Sequence, residues 1–126
     1  MDIAQFDQNR YVNLATFRKT GAEVKTPVWF AAVGPKLYVY TAGKAGKAKR
    51  LHNSSRARFA PCDVRGKVQG EWRDTNARIT ADPALIGQVY AALKRKYGWQ
   101  ISLLSFFARV AGTIRDRVYI EVDFPG

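Results

Sequence analysis

The chain has 126 residues, 47% of them apolar, with seven Phe, six Tyr and three Trp, which suits a single domain with a real core and excludes a disordered chain. With 21 Lys and Arg against 10 Asp and Glu the net charge is +11, so an anionic partner is expected: nucleic acid, an anionic membrane surface, or a phosphorylated or polyacidic small molecule. One Cys (Cys62) and one His (His52) exclude an intrachain disulfide and a structural zinc set, so no metal is expected.

Residues 1 to 9 read as a capping segment with a short helical turn. From Arg10 to Arg18 two apolar faces alternate: Tyr11, Asn13, Ala15 and Phe17 against Val12, Leu14 and Thr16. This predicts a strand covered on both sides. Lys19-Thr20-Gly21 is a hairpin turn. Thr26 to Val33 is a second strand, and Pro27, which has no N–H, belongs at its start or on an edge. Gly34-Pro35 turns the chain into a third strand, Leu37 to Thr41, so residues 10 to 41 predict a three-stranded antiparallel meander.

Lys47 to Asn53 allows at most two helical turns. Arg56 to Cys62 is a strand, Asp63 to Gly66 a turn, and Lys67 to Ala81 a longer polar strand in which Gly70 signals a bulge or a close backbone approach. Residues 82 to 98 carry the strongest helix signal: Asp82 as N-cap, Pro83 at the first helical position, a stripe of Leu85, Val89 and Leu93, and a Gly98 stop. Lys94, Arg95 and Lys96 in its last turn complement the helix dipole. A second helix is expected from Trp99 to Val110, with Trp99, Phe106 and Phe107 as core or subunit contacts. Asp116 to Phe124 is the last strand, with Val118, Ile120, Val122 and Phe124 on one face and Tyr119, Glu121 and Asp123 on the other. Six short antiparallel strands with helices packed at one side predict a mainly β fold built as a barrel. The N-terminus has no signal-peptide pattern and no apolar run reaches the ~20 residues of a spanning helix, so a cytoplasmic, non-membrane protein is the default.

The stretch from Leu37 to Leu51 carries the clearest chemical signal. A β-type run stops at a loop containing Gly43 and Gly46, and Lys44, Lys47, Lys49 and Arg50 follow within seven residues. Glycines, backbone N–H groups and cations at a helix start make a place to hold an anion. It is not a P-loop, because the glycine spacing is wrong and Ala48 stands where a magnesium-binding Ser or Thr is required. The competing reading is a solvated basic helix face. Of Val28, Trp29 and Phe30, the first and last read as core, while Trp29 points the other way and suits either a flat cofactor or a second layer of core. The catalytic inventory is thin: His52 has no evident carboxylate partner, Cys62 reads as a small buried hydrophobe, and no paired-carboxylate motif exists, so no catalytic residue is assigned. A bound cofactor would have to carry the chemistry of any enzyme built on this chain.

Pro27-Val28-Trp29-Phe30, Tyr40-Thr41, Gly46-Lys47-Ala48-Lys49-Arg50-Leu51 and Arg58-Phe59-Ala60-Pro61-Cys62 together resemble the split β-barrel flavin and deazaflavin oxidoreductases, the pyridoxamine 5′-phosphate oxidase-like superfamily. The C-terminal run, Lys96-Tyr97-Gly98 through Ser105-Phe106-Phe107 to Val118-Tyr119-Ile120-Glu121, is similar to an actinobacterial branch predicted to use the deazaflavin coenzyme F420. The resemblance implies a six-stranded Greek-key split β-barrel of the FMN-binding type, a homodimer with two cofactors in grooves between subunits. It implies that Val28, Trp29 and Phe30 line the ring, and that Thr41, Lys44, Lys47, Lys49 and Arg50 hold the phosphate. The implied activity is hydride transfer from reduced F420 to an electron-poor organic substrate. FMN is the alternative coenzyme, and a basic binding module for haem, a stored cofactor or nucleic acid is the non-enzymatic alternative. The absence of a recognised nucleic-acid motif counts against the last.

Overall fold

The computed structural model describes residues 2–42, 50–51, 54–80, 82–101, 103 and 117–125. It opens with a single-turn helix, α1 (Ile3–Phe6), held by a capping box in which the Asp2 carboxylate accepts from the Gln5 N–H and the Gln5 side chain returns the bond. Strands β1 (Tyr11–Phe17), β2 (Glu23–Val28), β3 (Phe30–Val33) and β4 (Lys36–Ala42) follow, then β5 (Arg56–Cys62) and β6 (Arg73–Thr80). Helix α2 (Pro83–Tyr97) and strand β7 (Arg117–Asp123) complete the order. The protein is mainly β with flanking helices.

All pairings are antiparallel, and the order across the sheet is β2-β1-β5-β6-β7-β4-β3. Seven strands stand where six were expected, because the stretch from Thr26 to Val33 is not one strand. It pairs with β1 as far as Val28, breaks at Trp29, and pairs with β4 from Phe30 onward. The two edges of the sheet are therefore separated in the chain by one residue, and the sheet is not closed by hydrogen bonds. A second corner lies in β6, whose residues Arg73 to Asn76 pair with β5 while Ala77 to Thr80 pair with β7. The predicted meander is present in this divided form. Pro27 lies on edge strand β2, where its missing N–H costs no ladder bond.

Gly34, at φ 60°, occupies the first position of the two-residue β3–β4 hairpin loop, as a type II′ turn requires. The predicted long strand from Lys67 begins only at Arg73; before it, Val68 makes a single bridge to Cys62. Gly70 is a close approach: a Cβ there would sit 2.7 Å from Cγ of Pro61.

The strand faces enclose one apolar interior of Val12, Leu14, Phe30, Leu37, Val39, Phe59, Ile120 and Val122, plugged at one end by Phe6. Phe6 packs against the rings of Phe30, Phe59 and Phe124 at centroid distances of 5.5, 5.2 and 5.5 Å. Helix α2 covers the outside of β3, β4 and β7, burying Val89, Ala92, Leu93 and Tyr97 against Ala31, Tyr38 and Tyr119. Its ends are as predicted, with the Asp82 carboxylate accepting from the Ala84 N–H and Gly98 at φ 61°. On the opposite side the 63–72 connection lies over β1, where Asn13 donates to the Gly66 carbonyl at 2.9 Å.

The C-terminal turn of α2 fastens the break at Trp29. Tyr97 Oη accepts from the Phe30 N–H at 3.1 Å and lies 3.0 Å from the Phe30 carbonyl and 2.9 Å from that of Arg10. Tyr97→Phe keeps the ring and leaves a buried peptide N–H unpaired, so it is expected to cost about 1–3 kcal/mol in urea unfolding. A change indistinguishable from zero would remove this hydroxyl from the set of structural bonds.

Candidate functional site

The basic segment singled out in the sequence leaves the barrel at Ala42, the last residue of β4, and the chain is described again at Arg50 and Leu51. Leu51 is buried in the apolar interior, and Arg50 Nε donates to the fully buried Thr16 hydroxyl at 2.5 Å. Both ends of the segment are therefore anchored to the barrel. Burial, with repulsion from neighbouring Arg18, holds the Arg50 guanidinium below its usual range. Thr41 lies in β4, opposite Val118 in the register. Lys44, Lys47, Lys49 and His52 lie outside the described residues, as does most of the expected helix from Trp99 to Val110.

Val28 and Phe30 face the interior, and Phe30 is completely buried, so neither side chain offers a wide surface to a ligand. Trp29 points outward, as its opposite parity requires. Its ring stacks on Tyr97 at 4.6 Å and 10°, and one side of it is packed against the second core layer. It remains partly exposed. Trp99, expected as core or a subunit contact, is not core in the chain: it is 72% exposed.

Lys96, expected simply to complement the helix dipole, does more. Only 11% of its side chain is exposed; Nζ donates to Asp7 Oδ1 and to the Phe30 carbonyl, both at 3.0 Å, and sits 3.5 Å from the Phe30 ring centroid. Burial lowers its ammonium below the ordinary value in spite of Asp7. Cys62 is buried, and burial with Asp63 nearby pushes its thiol up to about 11, which leaves it protonated and unsuited to nucleophilic attack at neutral pH. Among the described residues no cluster of three or more His, Cys, Asp or Glu could hold a metal ion.

Cations fall into two populations. On the outer face of β4, β7 and β6, Lys36 and Arg78 meet Glu121 and Asp123 at 2.6–3.4 Å, and Tyr38 adds a hydrogen bond to Glu121. Positive and negative charges balance there, so that face has no surplus for an anion. At the end of β1 the situation is reversed. Arg18, Lys19, Arg50 and Arg56 have no carboxylate within ion-pair distance among the described residues. Arg18, Lys19 and Arg56 were not candidates in the sequence. Only the pairing of β1 with β5, which sets Thr16 opposite Ala57, brings them together.

No protein-family model matches the sequence, and no curated protein matches it. Solved structures do. HutZ of Vibrio cholerae, described as a haem storage protein, is 19% identical, with a TM-score of 0.74 over 98% of this chain and 88% of that one. A protein described as an F420 reductase is 18% identical, with a TM-score of 0.64 over 99% and 94%. A Listeria innocua protein provisionally described as a pyridoxamine 5′-phosphate oxidase is 11% identical, with a TM-score of 0.64 over 95% and 87%. At these identities the likeness establishes the fold alone, a mainly β split-barrel type with flanking helices.

The balanced face generates a pH prediction. Burial alone would raise the Glu121 carboxyl, but hydrogen bonds from Lys36, Arg78 and Tyr38 outweigh it and hold the group below its ordinary 4.5. Bonds from Arg78, against a smaller cost of burial, hold Asp123 below 3.8. Lowered native values mean that this stabilisation is complete above the unfolded-state values and is lost as pH falls through the native ones. Glu121→Gln should therefore lower Tm at neutral pH and flatten the fall in Tm below pH 4.5; an unchanged acid slope would contradict the assignment.

Proposed function

We propose that the chain is an F420-dependent oxidoreductase, acting as a cytoplasmic homodimer that transfers a hydride from the reduced deazaflavin to an electron-poor organic substrate. The observation that carries the reading is the anchored basic segment: Ala42 on one side, Arg50 and Leu51 on the other, with Lys44, Lys47 and Lys49 between them in the sequence. The donor chemistry fits a polyanion. Arg50 lacks a carboxylate partner among the described residues, and charge-assisted bonds to phosphate oxygens would satisfy it.

In this reading Lys47, Lys49 and Arg50 hold the phosphate, with Thr41 and Lys44 beside them, and the exposed part of Trp29 flanks the ring. Val28 and Phe30 shape the groove from behind as core, and Phe30 does so with its peptide already bonded to Tyr97 and Lys96. When bound, the deazaflavin supplies the hydride; the chain's part is to position the ring and neutralise its anionic groups. F420 is preferred to FMN because its phosphodiester and poly-glutamate tail spread negative charge over a longer path, matching a net charge of +11. Haem binding is a second reading, favoured by the likeness to HutZ. The chain's one histidine, His52, sits in the cationic stretch, which makes it a poor candidate for an axial ligand on an apolar wall.

Titration with F420, FMN and haem, followed by fluorescence and absorbance, tests the reading. F420 should bind most tightly. The double change Lys47→Ala and Lys49→Ala should weaken it by about tenfold or more, since each charge-assisted bond is worth about 1.5–3 kcal/mol. Tight FMN or haem binding without F420 binding, or unchanged affinity in the double variant, would contradict it.

A further inference from the structure

Where β1 ends and β5 begins lies an open cleft of about 350 Å³ lined by Phe17, Arg18, Lys19, Gly21, Ser54 and Arg56. We propose that this cleft is a separate binding site for a small polyanion, a ligand carrying two or more phosphate or carboxylate groups.

Three observations carry the proposal. The first is the missing counter-ion. The one carboxylate that the register brings close is Glu23, opposite Phe17, and it is already committed to Arg58 at 2.9 Å and Lys25 at 3.3 Å. Lys36, Arg58, Arg78 and Lys96 have carboxylate partners, whereas this cleft gathers Arg18, Lys19 and Arg56 in one place with none among the described residues.

The second observation is preorganisation. The Arg56 guanidinium lies over the Phe17 ring at 4.1 Å, and Phe17 is itself buried. Such a contact restrains the side chain without using its N–H donors, which a bidentate acceptor can then take up. Arg18 and Lys19 stand on the adjoining turn, which is fixed by the Arg18 N–H to Ala22 carbonyl bond and the Gly21 N–H to Arg18 carbonyl bond. The Ser54 hydroxyl oxygen accepts from the Arg56 N–H at 3.2 Å, which leaves its own proton to donate to a ligand.

The third is proximity of like charge. Arg18 is close enough to Arg50 to disfavour its protonated form. Cations gathered without an acid destabilise the free protein, and a bound anion removes that cost. The short lining favours a compact ligand over a nucleic acid, which would need a continuous basic track with exposed aromatics.

Calorimetric titration at low salt with inorganic pyrophosphate and with a tetraglutamate peptide tests the site. Arg18 and Arg56 are exposed, so Arg18→Ala with Arg56→Gln should fold, as circular dichroism would verify; Arg18→Ala with Lys19→Ala leaves the Phe17 contact untouched as a second variant. Wild type should bind at least one probe, and both variants should lose about tenfold or more. A control, Lys94→Ala with Arg95→Ala on α2, removes the same charge elsewhere and should bind as wild type does. No binding of either probe to wild type, or equal losses in variants and control, would overturn the proposal. So would a selective loss of single-stranded oligonucleotide binding with the small probes unaffected. F420 with and without its glutamates identifies the occupant: loss in the variants of the tailed form alone assigns the cleft to the coenzyme's tail, and loss of the probes with both coenzyme forms unaffected assigns it to a free anion. The pyrophosphate arm stands even if no coenzyme binds.

Discussion

The structure depends on how one stretch of backbone is allowed to leave one neighbour and join another. Continuing the β1–β2 register past Val12 and Val28 would set Arg10 opposite Phe30. Instead the Tyr97 hydroxyl lies between them, within 3.1 Å of the Phe30 N–H and of both carbonyls. It replaces a rung of the ladder with a side chain from α2. Lys96 adds a bond to the same carbonyl, and Asp7 accepts from the Ala32 N–H at 3.0 Å, so the edge of β3 is covered from two separate parts of the chain. Buried peptide groups without such partners would be costly, and the corner would not hold. Arg10 seals the arrangement, its guanidinium 5.0 Å from the Tyr97 ring centroid and bonded to the Lys96 carbonyl.

From that corner the rest follows spatially. The bend at Trp29 brings β3 onto β4 and turns the sheet around one interior. β4 then ends at Ala42, and the chain is held to the barrel again by Leu51 in the interior and Arg50 on Thr16. At the end of β1 the register gathers Arg18, Lys19, Arg50 and Arg56, while α2 covers β3, β4 and β7 and the 63–72 connection lies over β1. The paired charges on β4, β7 and β6 fix structure; the unpaired ones near the end of β1 are available for binding.

Much of this was legible in the residues. The helix from Pro83 to Tyr97 announced both of its ends, because Asp82, Pro83 and Gly98 act locally. The alternation of Tyr119, Ile120, Glu121 and Val122 gave the two faces of β7 correctly, and Gly70 marked a close approach to Pro61. What stayed hidden depended on partners far along the chain. Nothing near Trp29 says that the strand changes neighbours there, since the substitute bonds come from Tyr97, 67 residues from Phe30. Lys96 looked like a dipole-complementing surface cation because its partner Asp7 is 89 residues away. Arg18, Lys19 and Arg56 are unremarkable as sequence, and become a cluster only through the β1–β5 register.

The most direct test of the account is a crystal structure of the chain grown with F420. One deazaflavin per chain is expected, with its ring beside Trp29 and its phosphate held by Arg50 and the lysines that follow β4 in the sequence. A ligand bound on the balanced face of β4, β7 and β6, or in the cleft lined by Pro61, Gly70 and Arg73, would contradict it.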